Sequence, residues 1–234
     1  SKKYPVIIEV YGEPASATVQ DVWGNGDLWQ QYMANQGYIV VSIENRGANT
    51  PRGREWRKCI YGEVGTFASE DQSRGILDMT RQYPFIDANR ISITGWSGGG
   101  SQTLNCMFRY PKIFHTGIAI AFVADQRLYD TIYQERYMNT PQNNPEGYHK
   151  GSPITYAEGL EGNLLLIHGT GDDSGLGGVE AGQNAAGHGH EEDGQEVTVG
   201  EVVRVGEGTH GAVSTGEAQH GSSPAVPDVH QGHT

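Results

Sequence analysis

Apolar positions in this chain fall into short runs separated by longer, helically spaced segments. Pro5–Val10 reads as a strand, and Tyr38–Ile43 is a nearly continuous apolar run, as in a parallel sheet covered on both faces. Further strands are predicted at Arg90–Thr94, Thr116–Phe122 and Asn163–Ile167, the last as a short buried strand. Between them, helices are predicted over Leu28–Gln36 (ended by Gly37), Ser69–Gln82, Gln102–Tyr110 and Leu128–Tyr137. Glu44–Arg57 and Pro141–Ser152 read as polar loops. Strands alternating with helices predict an α/β fold with a doubly wound, mainly parallel sheet, its site at the strand tips.

Composition changes this picture only beyond Asp173. Residues 174–234 contain no Phe, Trp, Tyr, Ile, Met, Cys or Lys, one Leu, and 14 of the 34 glycines. Such a stretch cannot bury enough apolar surface to offset its ordering entropy, so it is expected to be largely disordered. The expected organisation is an α/β domain over 1–173 and a Gly/His/Glu-rich tail over 174–234. A shift of reading frame from Ser174 onward would account for the break.

The net charge of −12 argues against nucleic acid, whose phosphates call for Lys/Arg surfaces. The tail carries much of that charge, with nine acidic side chains against Arg204 alone. Cys59 and Cys106 allow one bridge at most, and Cys106 reads as a buried small apolar residue. No metal site is expected: His188-Gly189-His190 lies among flexible glycines without a carboxylate or cysteine framework.

The chemistry is concentrated at Gly95-Trp96-Ser97-Gly98-Gly99. A G-x-S-x-G between a strand and a helix forms a sharp turn that lifts the serine hydroxyl above the sheet. There the helix N-terminus favours developing negative charge. An acyl-transfer serine needs a base, a group to orient the base, and donors for the oxyanion. Asp172 and Asp173 follow the last predicted strand, where the acidic member is expected. Every histidine after Asp172 lies in the tail. Tyr129 and Tyr133 form an i, i+4 pair that offers rings to a flat apolar group. His168 fits a structural role at a strand end.

These motifs occur in order with Val10-Tyr11-Gly12-Glu13-Pro14, Asn45-Arg46-Gly47, Asp87-Ala88-Asn89-Arg90-Ile91, Tyr129–Met138 and His168–Asp173. With them, Lys3–Asp173 resembles the catalytic domain of the prolyl oligopeptidase family, in its dipeptidyl peptidase IV branch. The resemblance implies that residues 1–173 form a partial catalytic domain of α/β-hydrolase fold, incomplete at its C-terminus, and a serine peptidase cutting after Pro or Ala near peptide N-termini, without metal or cofactor. It implies Ser97 as nucleophile, Asp172 as the group orienting the histidine, His210 within Gly208-Thr209-His210-Gly211 as the best-placed histidine though without the family's closing helices and strand, and the Gly98 N–H and Tyr11 hydroxyl as oxyanion donors. Tyr129, Tyr133 and Val123 would wall the substrate pocket. An N-terminal β-propeller, absent from these residues, would hold the substrate's amino terminus. A homodimer and a periplasmic, extracellular or membrane-anchored parent protein are further expectations of the resemblance.

Two residues depart from the family pattern. Glu13 stands where the family usually has Gly, and a charge there would oppose an oxyanion unless it faced solvent. Gly98 replaces a bulky aromatic, which keeps the backbone donor but loosens the elbow. Two other functions stay open at this point: an acylaminoacyl peptidase or esterase of the same fold, and a silent fragment or binding module lacking a positioned histidine.

Overall fold

The computed structural model describes residues 2–14, 16–22, 28–169, 172 and 197–204. His210, Asp173, His188 and His190 lie outside these described residues. So does the expected disorder of the tail, apart from residues 197–204.

A six-stranded sheet in the order β2-β1-β3-β4-β5-β6 organises the chain. Its strands are β1 Tyr4–Glu9, β2 Ile39–Val41, β3 Ile86–Trp96, β4 Thr116–Ile120, β5 Asn163–Gly169 and β6 Val197–Arg204. The first five pair in parallel, and β6 pairs antiparallel with β5. A strand at Val197–Arg204 differs from the disorder expected of the tail. Its Val-Thr-Val start and Val202-Val203 carry β-branched residues that suit a pleated ladder.

Helix α1 Leu28–Asn35 lies against β2, while α3 Thr66–Gln82 and α4 Gly98–Arg109 pack on each other and on β3. Val6, Ile8, Ile91 and Ile93 share one fully buried cluster with Ile76 of α3 and with Leu104 and Met107 of α4. Alternation along β1 and β3 sends these side chains to one face, which explains why the register is well defined there. Helix α4 is buried along its whole middle, Gly99 to Met107, between β3, β4, α3 and a 3-10 turn at Pro153–Gly159. Cys106 is buried there and Cys59 is exposed, both as free thiols.

Several boundaries differ from the sequence reading. The two predicted loops each contain a helix, α2 Arg54–Lys58 and α6 Pro145–Gly151. In α6 the Asn144 side chain accepts from Gly147 N–H at 3.1 Å, Pro145 occupies the first turn, and Glu146 pairs with Lys150. That is a complete N-terminal signal in a segment too short and polar to show periodicity. Strand β3 begins at Ile86, because Ile86 pairs with Tyr4 before a register shift resumes the ladder at Val6 and Ile91. Strand β5 is half-buried apart from exposed Asn163 and buried Leu164, and β2 is half-buried throughout and only three residues long.

Candidate active site

The elbow is built by close backbone approach. A Cβ at Gly95 would stand 2.4 Å from the Gly99 carbonyl, and one at Gly99 would stand 2.1 Å from the Val10 carbonyl oxygen. No side chain fits at either position, so the turn can be this tight only with glycine. Ser97 itself has φ 56° and ψ −119°, a conformation that L residues rarely adopt. Its N–H donates to the Ile120 carbonyl at 2.8 Å, and its carbonyl accepts from Ser101 N–H at 3.1 Å. The residue is thus pinned between the tip of β4 and the first turn of α4.

Trp96, Ile120 and Ile167 are register partners across β3, β4 and β5. Ser97 follows the first and Asp172 the last, so both lie at the same edge of the sheet. Their strands are two spacings apart, roughly 10 Å. Asp172 N–H donates to the Gly169 carbonyl at 3.2 Å, which turns the chain back just beyond β5. The His168 ring lies edge-on to Phe122, with Nε2 3.3 Å from the Phe122 carbonyl and Nδ1 3.9 Å from Asp172 Oδ2.

One cleft beside Ser97 is lined by Tyr11, Gly98, Val123, Tyr129 and Tyr133. The structure therefore gathers six of the eight expected site residues around one cavity and puts Asp172 at the same sheet edge. The Tyr129 and Tyr133 rings meet at 5.6 Å in a T-shape, but not as neighbours on one helix face. Helix α5 runs Thr131–Met138, capped by Asp130, whose side chain accepts from Tyr133 N–H at 2.8 Å. Tyr129 precedes the cap in extended backbone and reaches the pocket from the loop.

Sequence reasoning missed several cleft residues. The Ser101 hydroxyl donates to the Val123 carbonyl at 2.9 Å and accepts from Val123 N–H at 2.9 Å, which fixes that wall. Gln134 and Gln126 bond to each other at 2.8 Å at the back of the cavity. Ser101, one helical turn after Ser97, was findable by spacing; the glutamines carry no signal before the fold is known.

Glu13 behaves differently from either case expected for it. It is buried, lines the cleft, and accepts from the Tyr133 hydroxyl at 3.0 Å and from Gln102 Nε2 at 3.2 Å. Burial pushes its carboxyl up to about 7, against the opposing pull of those two hydrogen bonds. Burial, followed by the Glu13 charge, pushes the Tyr133 phenol well above its ordinary range.

Behind the cleft, Asn45 Nδ2 donates to the Gly12 carbonyl at 3.1 Å and ties down the loop that carries Tyr11 and Glu13. Arg46 forks onto Asp71 at 2.7–3.0 Å and reaches Glu70 at 2.8 Å. Asn45 and Arg46 thus tie the segment after β2 to the Gly12 loop and to α3.

A serine on a strained strand-to-helix turn, at the carboxyl edge of a parallel sheet and beside an aromatic-walled cleft, defines an α/β hydrolase of the serine-peptidase type. The sequence profile of the prolyl oligopeptidase family matches residues 26–175, and the chain belongs to that family. Among curated relatives, probable dipeptidyl-aminopeptidase B of Paracoccidioides lutzii is 43% identical over 177 residues. That match covers 74% of this chain and 19% of the relative. The protein of the same name from Aspergillus terreus is 42% identical with the same coverage. Among solved structures, Porphyromonas gingivalis dipeptidyl peptidase 4 is similar at a TM-score of 0.67 and 42% identity, over 72% of this chain and 23% of that one. A putative dipeptidyl aminopeptidase IV from Bacteroides ovatus gives the same TM-score and identity, over 71% and 24%. The chain thus has the α/β-hydrolase fold of dipeptidyl peptidase-like serine hydrolases, and spans about a fifth of the curated relatives' length.

Proposed function

We propose that this chain is the catalytic domain of a serine peptidase that releases short N-terminal pieces from peptides by cutting after Pro or Ala. The observation that carries the reading is the backbone of Ser97, held at φ 56° and ψ −119° at the sheet edge it shares with Asp172. In this reading the Ser97 Oγ bonds to the scissile carbonyl carbon while its proton passes to a histidine, His210 being the candidate. Asp172 holds that imidazole in orientation. The Gly98 N–H and the Tyr11 hydroxyl receive the oxyanion, a donor of this type being worth about 3–4 kcal/mol at the transition state.

Collapse of the tetrahedral species breaks the C–N bond, and the imidazole returns the proton to the leaving amine. Water then enters by the same route in reverse and frees the acid and Ser97. Tyr129, Tyr133 and Val123 seat the residue before the cut. A β-propeller in the remaining length of the parent protein would hold the substrate's amino terminus. A peptide substrate and a homodimeric parent belong to the same reading. So does the division into a catalytic unit over 1–173 and a tail over 174–234 that adds β6 to its sheet.

The test is labelling by a fluorophosphonate probe, read by mass spectrometry of the Ser97 peptide, together with turnover of Gly-Pro and acetyl-Ala chromogenic amides. Label at Ser97 that is lost in Ser97→Ala, with Gly-Pro turned over faster, is the expected result. Faster turnover of acetyl-Ala overturns the dipeptidyl assignment, and an unlabelled Ser97 overturns the peptidase reading.

A further inference from the structure

Glu13 is the only carboxyl among the described residues lining the cleft, and acyl transfer at Ser97 does not use it. Its chain lies directly over the elbow: a Cβ at Gly98 would stand 2.0 Å from Glu13 Cγ and 3.0 Å from Cδ. The glutamate therefore fills the space that a side chain at Gly98 would enter, and it does so from the neighbouring loop. Each carboxyl oxygen receives one hydrogen bond, from Tyr133 and from Gln102. A carboxylate accepts at about four sites, so these two bonds use roughly half of its capacity.

The rest of the pocket wall near Ser97 is ring and aliphatic surface from Tyr129, Tyr133 and Val123. A bare pyrrolidine or methyl seated there would return no hydrogen bond to the buried carboxyl. A small side chain carrying its own donor would return one. Sites built around a buried polar group reject the analogue lacking its partner far more strongly than apolar pockets reject a changed methylene.

We propose that Glu13 is a specificity-determining residue, which makes the pocket beside Ser97 select a small residue bearing a hydroxyl or amine, such as 4-hydroxyproline or serine, over plain proline or alanine. This rests on the peptidase reading only in taking that pocket as the seat of the residue before the cut. Tyr133 shares in it as a positioning residue, since its hydroxyl holds Oε2 in place.

The experiment titrates the 234-residue chain with glycyl-4-hydroxyprolinamide and with glycylprolinamide, followed by NMR. The Glu13→Gln and Glu13→Ala variants are treated identically. The hydroxylated amide is expected to bind the parent about tenfold more tightly. That ratio should fall to about one in Glu13→Ala and lie between the two in Glu13→Gln, which keeps the shape and one acceptor. Equal affinities for the parent, no binding of either amide, or a preference that survives Glu13→Ala overturns the proposal. Fluorophosphonate labelling run on the same samples keeps the two readings apart. Label without preference sinks the role of Glu13 alone, and preference without label sinks the peptidase reading alone.

Discussion

Glu13 and Gly98 occupy what would otherwise be one side chain's space, with Glu13 Cγ 2.0 Å from the position of a Cβ at residue 98. The two expected departures from the family pattern are therefore a single structural feature. Gly98 leaves a space beside the elbow, and Glu13 fills it. The cost is a buried carboxyl in the cleft, which Tyr133 and Gln102 partly offset by hydrogen bonding.

The pair should behave as a coupled unit under mutation. Gly98 has no positive φ, so its backbone accepts alanine and the obstacle is Glu13 alone. We expect Gly98→Ala to destabilise the chain by about 1–3 kcal/mol through overpacking and loss of the Tyr133 and Gln102 bonds. In a Glu13→Gly background the same substitution should be neutral or mildly stabilising. A double-mutant cycle from urea denaturation measures the coupling, and additive effects would show that the two residues do not share space.

Stability should carry the signature of Glu13 in its pH dependence. The carboxyl facing Tyr133 on α5, Gln102 on α4 and the tyrosines Tyr11 and Tyr129 titrates at about 7, against 4.5 for a free glutamate. Burial raises the Tyr129 and Tyr133 phenols, so neither ionises in this window. Between pH 4.5 and about 7 the folded chain holds a proton that the unfolded chain releases. Stability therefore falls as pH rises across this interval, by up to roughly 3 kcal/mol, with the whole cost present above it. Glu13→Gln removes this component, so its stability relative to the parent should improve from pH 5 to pH 8. A difference that stays constant over the two pH values would refute the buried-acid assignment.

Much of the site was readable before the fold because its constraints are local. Gly95, Gly99 and Ser97 form one turn, so their spacing carries the geometry, and apolar periodicity located β1, β4 and β5. What was not readable depended on contacts distant in sequence. Glu13 meets Gly98 and Tyr133 only after 85 and 120 residues of chain fold back, so its burial and raised carboxyl had no local sign. Tyr129 and Tyr133 both line the cleft, but not as one helix face, since Asp130 caps α5 between them. Helix α6 was missed despite its Asn144-Pro145 start, because too few apolar positions showed its period.

Arg46 is expected to be the cation that matters most to the scaffold. It forks onto Asp71, reaches Glu70 at 2.8 Å and lies 4.5 Å from the Phe67 ring centroid, linking the strand-end loop to α3. Arg46→Lys keeps the charge but loses the planar fork, and should cost about 1–2 kcal/mol. Arg81, whose pair with Asp78 is largely exposed, should cost under about 0.5 kcal/mol when replaced by alanine. Because Asn45 and Arg46 together support the loop bearing Tyr11, Arg46→Lys should also slow fluorophosphonate labelling. Thermal denaturation of the two variants decides the ranking, and equal losses would remove Arg46 from this role.

The strain at Ser97 makes the last prediction the most direct. A non-glycine residue at φ 56° and ψ −119° costs of order 1–3 kcal/mol, which the surrounding hydrogen bonds to Ile120 and Ser101 hold in place. Glycine adopts this conformation freely. Ser97→Gly should therefore stabilise the chain by about 1 kcal/mol, net of the flexibility glycine adds to the unfolded state, while abolishing the label at this position. Ser97→Ala also abolishes the label but retains the Cβ and the strain, so its stability should stay within about 0.5 kcal/mol of the parent. The contrast between the two variants isolates backbone strain from loss of the hydroxyl. If Ser97→Gly unfolds no later than Ser97→Ala in urea, the turn is relaxed, and the tightness of the elbow cannot be what presents the hydroxyl to a substrate.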